Sequence, residues 1–200
     1  MTSEWSVIIN AGSEDRNREF KASFPWDRAT HGSTMARVTK SILAMSNLRD
    51  GGHVIVGVEE DASGRGLPAG IRDADKRTYT YDLVADFVRQ YAEPYAQFNL
   101  DFVVDGGKSF VILSIAGFDE VPVVCRKNFD GVLAEGRVYV RPQSGRPRSE
   151  AVTSYVDMRE LMDIGAERKL KQYLEIISAT QSPTDEDRRR FEHQLEGTRT

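Results

Sequence analysis

Cysteine is nearly absent from this sequence: Cys125 is the single one in 200 residues. That excludes an internal disulfide framework and a cysteine-based zinc site. No apolar run reaches the roughly 18 residues of a membrane-spanning helix, and no signal-peptide pattern opens the chain. The expected address is the cytoplasm, with no membrane partner. Positive charge is also short, with 27 Lys and Arg against 31 Asp and Glu and a net charge of -4. That charge weakens any bulk attraction to a polyanion, because non-specific nucleic-acid binding rests on Lys and Arg neutralising phosphates, so such binding needs a local basic face. The Gly-rich stretch at residues 63–71, SGRGLPAGI, lacks the GxxxxGK[ST] spacing of a phosphate loop. No ATP and no nucleotide cofactor is expected.

What is present is enough for one core. The chain is 40% hydrophobic and 29% charged, a composition for a folded globular unit with a small appendage. Its organising stretch is residues 44–61, AMSNLRDGGHVIVGVEED, which reads as a helix end, a Gly51-Gly52 reversal and a buried strand over 53–58. The strand ends in Glu59, Glu60 and Asp61, which hold a metal ion, face water or close a turn. Upstream, EDRNREFKAS at 14–23 sets Glu14 and Glu19 five positions apart and Lys21 two further on. A strand over 18–22 puts Glu19 and Lys21 on one face and Phe20 in the core. That spacing suits phosphodiester chemistry, in which a metal needs oxygen ligands and the developing phosphorane needs a cation. An exposed strand with an internal salt bridge uses the same residues and, for this segment alone, is the commoner case.

Around this centre, residues 5–9 read as an extra strand or a docking arm, and 24–32 as a loop anchored by Trp26. Met35, Val38, Ile42 and Met45 mark a helix over 33–47 with one buried face, capped by Ser33 or Thr34. Asn47 either caps it or aims at the acidic cluster. A second helix spans 78–91, and strands 98–104 and 109–115 flank an Asp105-Gly106-Gly107 turn. Strands are expected at 121–126 and 137–141, and helices from 150 onward, with a further helix-start signature at Ser182-Pro183. This order predicts an α+β fold: a mixed β-sheet flanked by helices, with a C-terminal helical tail. The expected division is a domain over 1–155 and a helical extension over 156–200. Residues 126–148 hold six basic residues (Arg126, Lys127, Arg137, Arg141, Arg146 and Arg148) against Asp130 and Glu135, the local basic patch that the net charge conceals. The tail from 150 to 200 carries eleven acidic and eight basic residues, favouring a protein contact there over nucleic acid.

Taken together, REFK at 18–21, ILAMSN at 42–47, GGHVIVGVEED at 51–61, Glu93-Pro94, and VYVRPQSG at 138–145 resemble the Schlafen AlbA-type domain over roughly residues 14–155. The resemblance implies an α+β nucleic-acid-binding unit, similar in its active members to a metal-dependent endoribonuclease that cuts structured RNA such as tRNA. Matched position by position, the family's catalytic carboxylates fall on Glu14, Glu19 and Glu59, with Lys21 alongside. Glu59 stands where Asp is usual, one methylene longer, so Asp61 is a substitute ligand. Carboxylates this close raise one another's pKa unless a divalent cation compensates, and hard oxygen ligands favour Mg²⁺ or Mn²⁺. Arg126, Lys127, Arg141, Arg146 and Arg148 are then expected to grip phosphate, RNA ahead of DNA. The ATPase-like and winged-helix regions that often follow this domain are not found here, nor is a second Schlafen lobe. A clamp around RNA then requires a dimer or a partner protein held through the C-terminal helices, in a bacterial defence or stress system. The alternative keeps the fold and drops the chemistry, leaving a DNA- or RNA-binding or assembly subunit.

Overall fold

The computed structural model describes residues 4–143 and 147–181. Its centre is a four-stranded sheet in the order β1 (Arg18–Lys21), β2 (Gly52–Val56), β7 (Lys108–Ile115) and β6 (Phe98–Asp105). Strand β1 runs parallel to β2, while β2–β7 and β7–β6 are antiparallel, so the sheet is mixed, as the order of elements predicts. The β6–β7 hairpin turns through Gly106 and Gly107 at φ 55° and 76°. Two successive positive φ values match the strand twist in a two-residue turn.

Alternation places the two sheet faces in different cores. Phe20, Ile55, Phe110 and Ile112 join Ile9 and Val58 on one face. Val54, Val56, Val111 and Leu113 join the main core on the other. The smaller core is roofed by helix α1 (Glu4–Ile9), whose Trp5 and Ile8 pack onto it. Residues 5–9 are therefore helical, neither strand nor arm: a short helix buries Trp5, Ile8 and Ile9 together on a sheet face that would otherwise be wet.

Helix α2 (Arg28–Ser46) starts earlier than its apolar spacing predicts, because Asp27 caps it by accepting from the Ala29 N–H. His31 interrupts it with non-helical dihedrals just before the predicted start at Ser33. Nor does α2 have a single buried face: every residue from Ser41 to Leu48 is buried. The sheet covers one side, and the segments around Val123 and Tyr139 cover the other. Asn47 joins them, its amide donating to the carbonyls of Val123 (2.8 Å) and Tyr139 (2.9 Å) while its Oδ1 accepts from the Val123 N–H (2.7 Å). That buried staple explains why the expected strand over 121–126 shrinks to β8 (Val124–Cys125): Pro122 has no N–H, and that of Val123 goes to Asn47.

The reversal after α2 needs glycine. Gly51 has φ +66°, and a Cβ there would lie 1.9 Å from the Ile115 carbonyl oxygen. Gly57, at φ +112°, breaks the central strand, so β3 (Val58–Glu60) leaves the sheet and pairs with β4 (Gly66–Pro68) in its own hairpin. Helices α3 (Asp73–Lys76) and α4 (Tyr81–Arg89) follow, the latter capped by Thr80. Small ladders complete the domain: β5 (Ala92–Glu93) with β8, and β9 (Tyr139–Val140) with β10 (Glu150–Ala151). Helix α5 (Tyr155–Gln181) is one continuous helix that docks through Leu161 and Ile164. The Ser182-Pro183 signature lies outside the described residues. No helix among the described residues is long and apolar enough to cross a membrane.

Candidate functional site

Strand β1 presents Glu19 and Lys21 on the side opposite Phe20, as its alternation predicts. Lys21 Nζ lies 2.5 Å from Glu19 Oε1 and also donates to the Phe20 carbonyl. The other Glu19 oxygen pairs with the guanidinium of Arg141. Burial pushes the Glu19 carboxyl up, but Lys21 and Arg141 outweigh it and hold it below the usual carboxylate range. Glu14 enters from the preceding loop, its carboxylate accepting the Phe20 N–H at 2.7 Å. Burial, and then repulsion from Glu19, keep Glu14 above the ordinary range. The two acids thus titrate apart, the pattern that marks candidate proton-transfer groups.

The structure corrects the reading of Arg141. Its side chain is 0% exposed, although its sequence neighbourhood predicts a phosphate contact. Besides Glu19 it donates to the carbonyls of Asp15 (2.8 Å), Arg18 (3.1 Å) and Pro147 (3.2 Å), so no face remains for a ligand. A buried guanidinium is retained because one carboxylate and three carbonyls satisfy most of its donors, and Nε alone finds no acceptor among the described residues. Arg148, seven residues on, is exposed. Its neighbour Ser149 reaches Ser41 of α2 at 3.4 Å, which sets Arg148 between the Glu19–Arg141 pair and α2. On α2, exposed Arg37 lies one turn before Ser41, and Lys40 sits 4.9 Å from the Tyr139 ring centroid.

The remaining predicted residues separate. Val58 enters the smaller core, and Glu59, next along β3, points to the opposite side of the β3–β4 hairpin. Glu59 is exposed, and no hydrogen bond or ion pair among the described residues ties it to Glu14 or Glu19. Asp61 is committed elsewhere: its carboxylate accepts from the Ser63 N–H and hydroxyl and from the Arg65 N–H, closing the β3–β4 turn. Those bonds, the Ser63 hydroxyl first, hold it below the usual range. Arg126 and Lys127 are exposed on the segment that follows β8, where the Arg126 N–H donates to the Tyr91 carbonyl, and no hydrogen bond or ion pair among the described residues joins them to Glu19. Arg146 lies outside the described residues.

Two residues that the sequence reading passed over complete the site. Arg16 donates from Nε to the Arg141 carbonyl at 2.7 Å and forks onto both oxygens of Glu160 on α5. Nothing local signals this, since Arg16 and Glu160 are 144 positions apart.

The acid pair, Lys21 and the buried arginine behind them sit on the stretch where a family comparison also falls. Residues 14–148 match the family described as Schlafen, AlbA_2. The chain belongs to that family. No curated protein matches it. Among solved structures, it is similar to the DIP2311 protein from Corynebacterium diphtheriae, with TM-score 0.48 and 15% identity over 76% of this chain and 26% of that one. It thus spans about a quarter of that chain's length. It is also similar to the N-terminal domain of a RecG-related protein from Nitrosomonas europaea, with TM-score 0.46 and 21% identity over 78% of this chain and 97% of that one.

The Schlafen resemblance implies a divalent cation at this site, and the side chains as folded do not fit one. Both Glu19 oxygens are taken by cations, and among the described residues no three His, Cys, Asp or Glu side chains gather as a metal-holding group. In this arrangement the Glu19 cluster is an ion-paired platform.

Proposed function

We propose that this Schlafen-family chain binds nucleic acid, RNA ahead of DNA, across the face built from β1, α2 and residues 147–151. The observation that carries this reading is exposed Arg37 on α2, three positions before Lys40, with exposed Arg148 next to Ser149, whose hydroxyl meets Ser41 of the same helix, on a chain whose net charge is -4. A concentrated cationic face on an acidic protein is the local electrostatic footprint that phosphate binding needs. The test is a salt titration of binding to tRNA and to single-stranded DNA. Arg37→Gln and Arg148→Gln each lower the slope of log affinity against log salt by about one unit. An unchanged slope in both variants overturns the reading.

Cleavage is the second reading, favoured by Glu14 accepting the Phe20 N–H close to Glu19, with Lys21 bound to Glu19 and the two acids titrating apart. Incubating tRNA with the protein in Mn²⁺ or in EDTA separates the cases: cleavage that survives EDTA, or is unchanged in Glu19→Ala and Glu59→Ala, sinks the metal-carboxylate mechanism. Assembly belongs to α5, where Tyr155, Met162, Leu170 and Leu174 are exposed on a helix already docked by its other side. The occupant in this reading is a second copy, so Leu170→Glu with Leu174→Glu abolishes a concentration-dependent dimer in sedimentation. A defence or stress role is tested by phage challenge of a bacterial host expressing the chain or its Glu19→Ala variant.

A further inference from the structure

Helix α5 lies beyond the family match, yet it is wired into the site. Arg16 sits in the loop between Glu14 and β1. Its guanidinium forks onto the Glu160 carboxylate, with the NH1–Oε1 contact at 2.8 Å, while its Nε holds the Arg141 carbonyl at 2.7 Å. Arg141 reaches back across the same loop, donating to the carbonyls of Asp15 and Arg18 on either side of Arg16 and pairing with Glu19. The two arginines interlock: each side chain holds the other's backbone neighbourhood. Among the described residues Glu160 anchors the outer end of the Arg16 fork, and it is itself fixed by helix α5, whose next residue, Leu161, and Ile164 are buried in the main core. Farther along, Glu167 pairs with Arg49, and Arg168 donates to the Arg49 carbonyl at 2.7 Å. The Arg16 and Glu160 side chains are only 29% and 19% exposed, so the pair is shielded enough to hold geometry where a surface pair would drift.

We infer that Glu160 is a positioning residue for the Glu14–Glu19 site, acting through Arg16 and Arg141, so that the docked C-terminal helix sets the geometry of the acid pair. Removing the Glu160 carboxylate frees the Arg16 fork to turn toward water. The loop from Glu14 to Arg18 then loses its outer anchor, and the Glu14 carboxylate loosens from the Phe20 N–H. The inference rests on the reading of this site as the working face, but its structural arm does not depend on any activity.

Native-state hydrogen exchange on the full chain reads that arm. Glu160→Ala and Arg16→Ala each lower the protection of the Arg18 and Phe20 amides at least tenfold, while Ile55 and Ile112 in the sheet change less than twofold. The double variant goes no further than Arg16→Ala, because the Glu160 carboxylate acts through Arg16. Unchanged protection at Arg18 and Phe20, or a uniform fall that includes Ile55 and Ile112, overturns the inference. If an alanine variant does not fold, Glu160→Gln and Arg16→Lys carry the same comparison. In parallel, tRNA affinity falls at least threefold in both single variants and stays unchanged in Lys171→Gln, on an exposed part of α5. If tRNA affinity holds while local protection falls, the link to the working face is overturned. A wild-type chain that binds no nucleic acid sinks the proposed function instead, and leaves the exchange result to decide on the link.

Discussion

Replacing Arg141 by Met separates a structural arginine from a phosphate-binding one. The guanidinium is fully buried and pairs with Glu19, whose side chain is 13% exposed. Removing one member of a buried pair strands the other, at a typical cost of about 3–5 kcal/mol. Here Lys21 still faces Glu19, which favours the lower end, while the Pro147 carbonyl loses the Arg141 donor and those of Asp15 and Arg18 are left with each other's N–H at 3.3 Å, which raises it. We therefore expect a loss of roughly 3–4 kcal/mol, against the ~5–15 kcal/mol that folded domains possess. For a chain of this size that corresponds to a fall in Tm of about 6–16 °C. Urea unfolding followed by circular dichroism measures it as a drop in midpoint at constant m-value. The pH dependence supplies a second sign. Glu19 is held below the ordinary carboxylate range by Lys21 and Arg141 against the opposing effect of burial, so its contribution is present above the unfolded carboxylate pKa and lost as pH falls through the folded value. Without Arg141 the acid-labile window moves to higher pH. An Arg141→Met variant within about 1 kcal/mol of wild type, with a salt slope reduced by one unit, would refute the burial argument and restore Arg141 as a phosphate contact.

Three further outcomes follow from the same geometry. Asn47→Ala leaves the Val123 N–H and the Val123 and Tyr139 carbonyls unpaired in the core, at about 1–3 kcal/mol for each stranded group, so a urea-unfolding loss under about 2 kcal/mol contradicts the staple. Gly51→Ala places a methyl 1.9 Å from the Ile115 oxygen at a positive φ, and costs more than the ~1–2 kcal/mol of the left-handed conformation alone. Gly106→Ala, at φ +55° with no atom within 4 Å of the added Cβ, loses only that smaller amount, and equal losses in the two variants contradict the clash. Glu14→Gln tests the raised carboxyl: the folded chain holds that proton more tightly than the unfolded chain, so stability is full below the unfolded pKa and falls as pH rises through the folded one. The variant escapes that fall, and its Tm exceeds wild type at pH 7 but not at pH 3.

Much of the scaffold is legible along the chain because its causes are local. Alternation in REFK sends Phe20 inward and Glu19 and Lys21 outward, and the Gly51-Gly52 and Gly106-Gly107 pairs mark reversals that demand positive φ at Gly51, Gly106 and Gly107. Helix α1 and the early start of α2 were less legible. A six-residue segment with adjacent apolar residues fits a strand as well as a helix, and the Asp27 cap acts ahead of the first periodic apolar residue. The acidic strand end is half legible, since the apolar run continues unbroken through Gly57, which turns β3 away.

By itself the sequence determined the α+β class, the mixed sheet, the pairing of Glu19 with Lys21 on one strand face, and the family, because periodicity and motif order are properties of neighbouring residues. Only the tertiary structure decided which arginine is buried. Arg141 and Arg148 look alike in a basic segment, and what distinguishes them is that Glu19 and three carbonyls converge on one and water on the other. The same holds for Glu160, an ordinary helical acid until folding brings it against Arg16 across 144 positions. Burial and long-range pairing are set by the whole packed chain, so no window of sequence contains them.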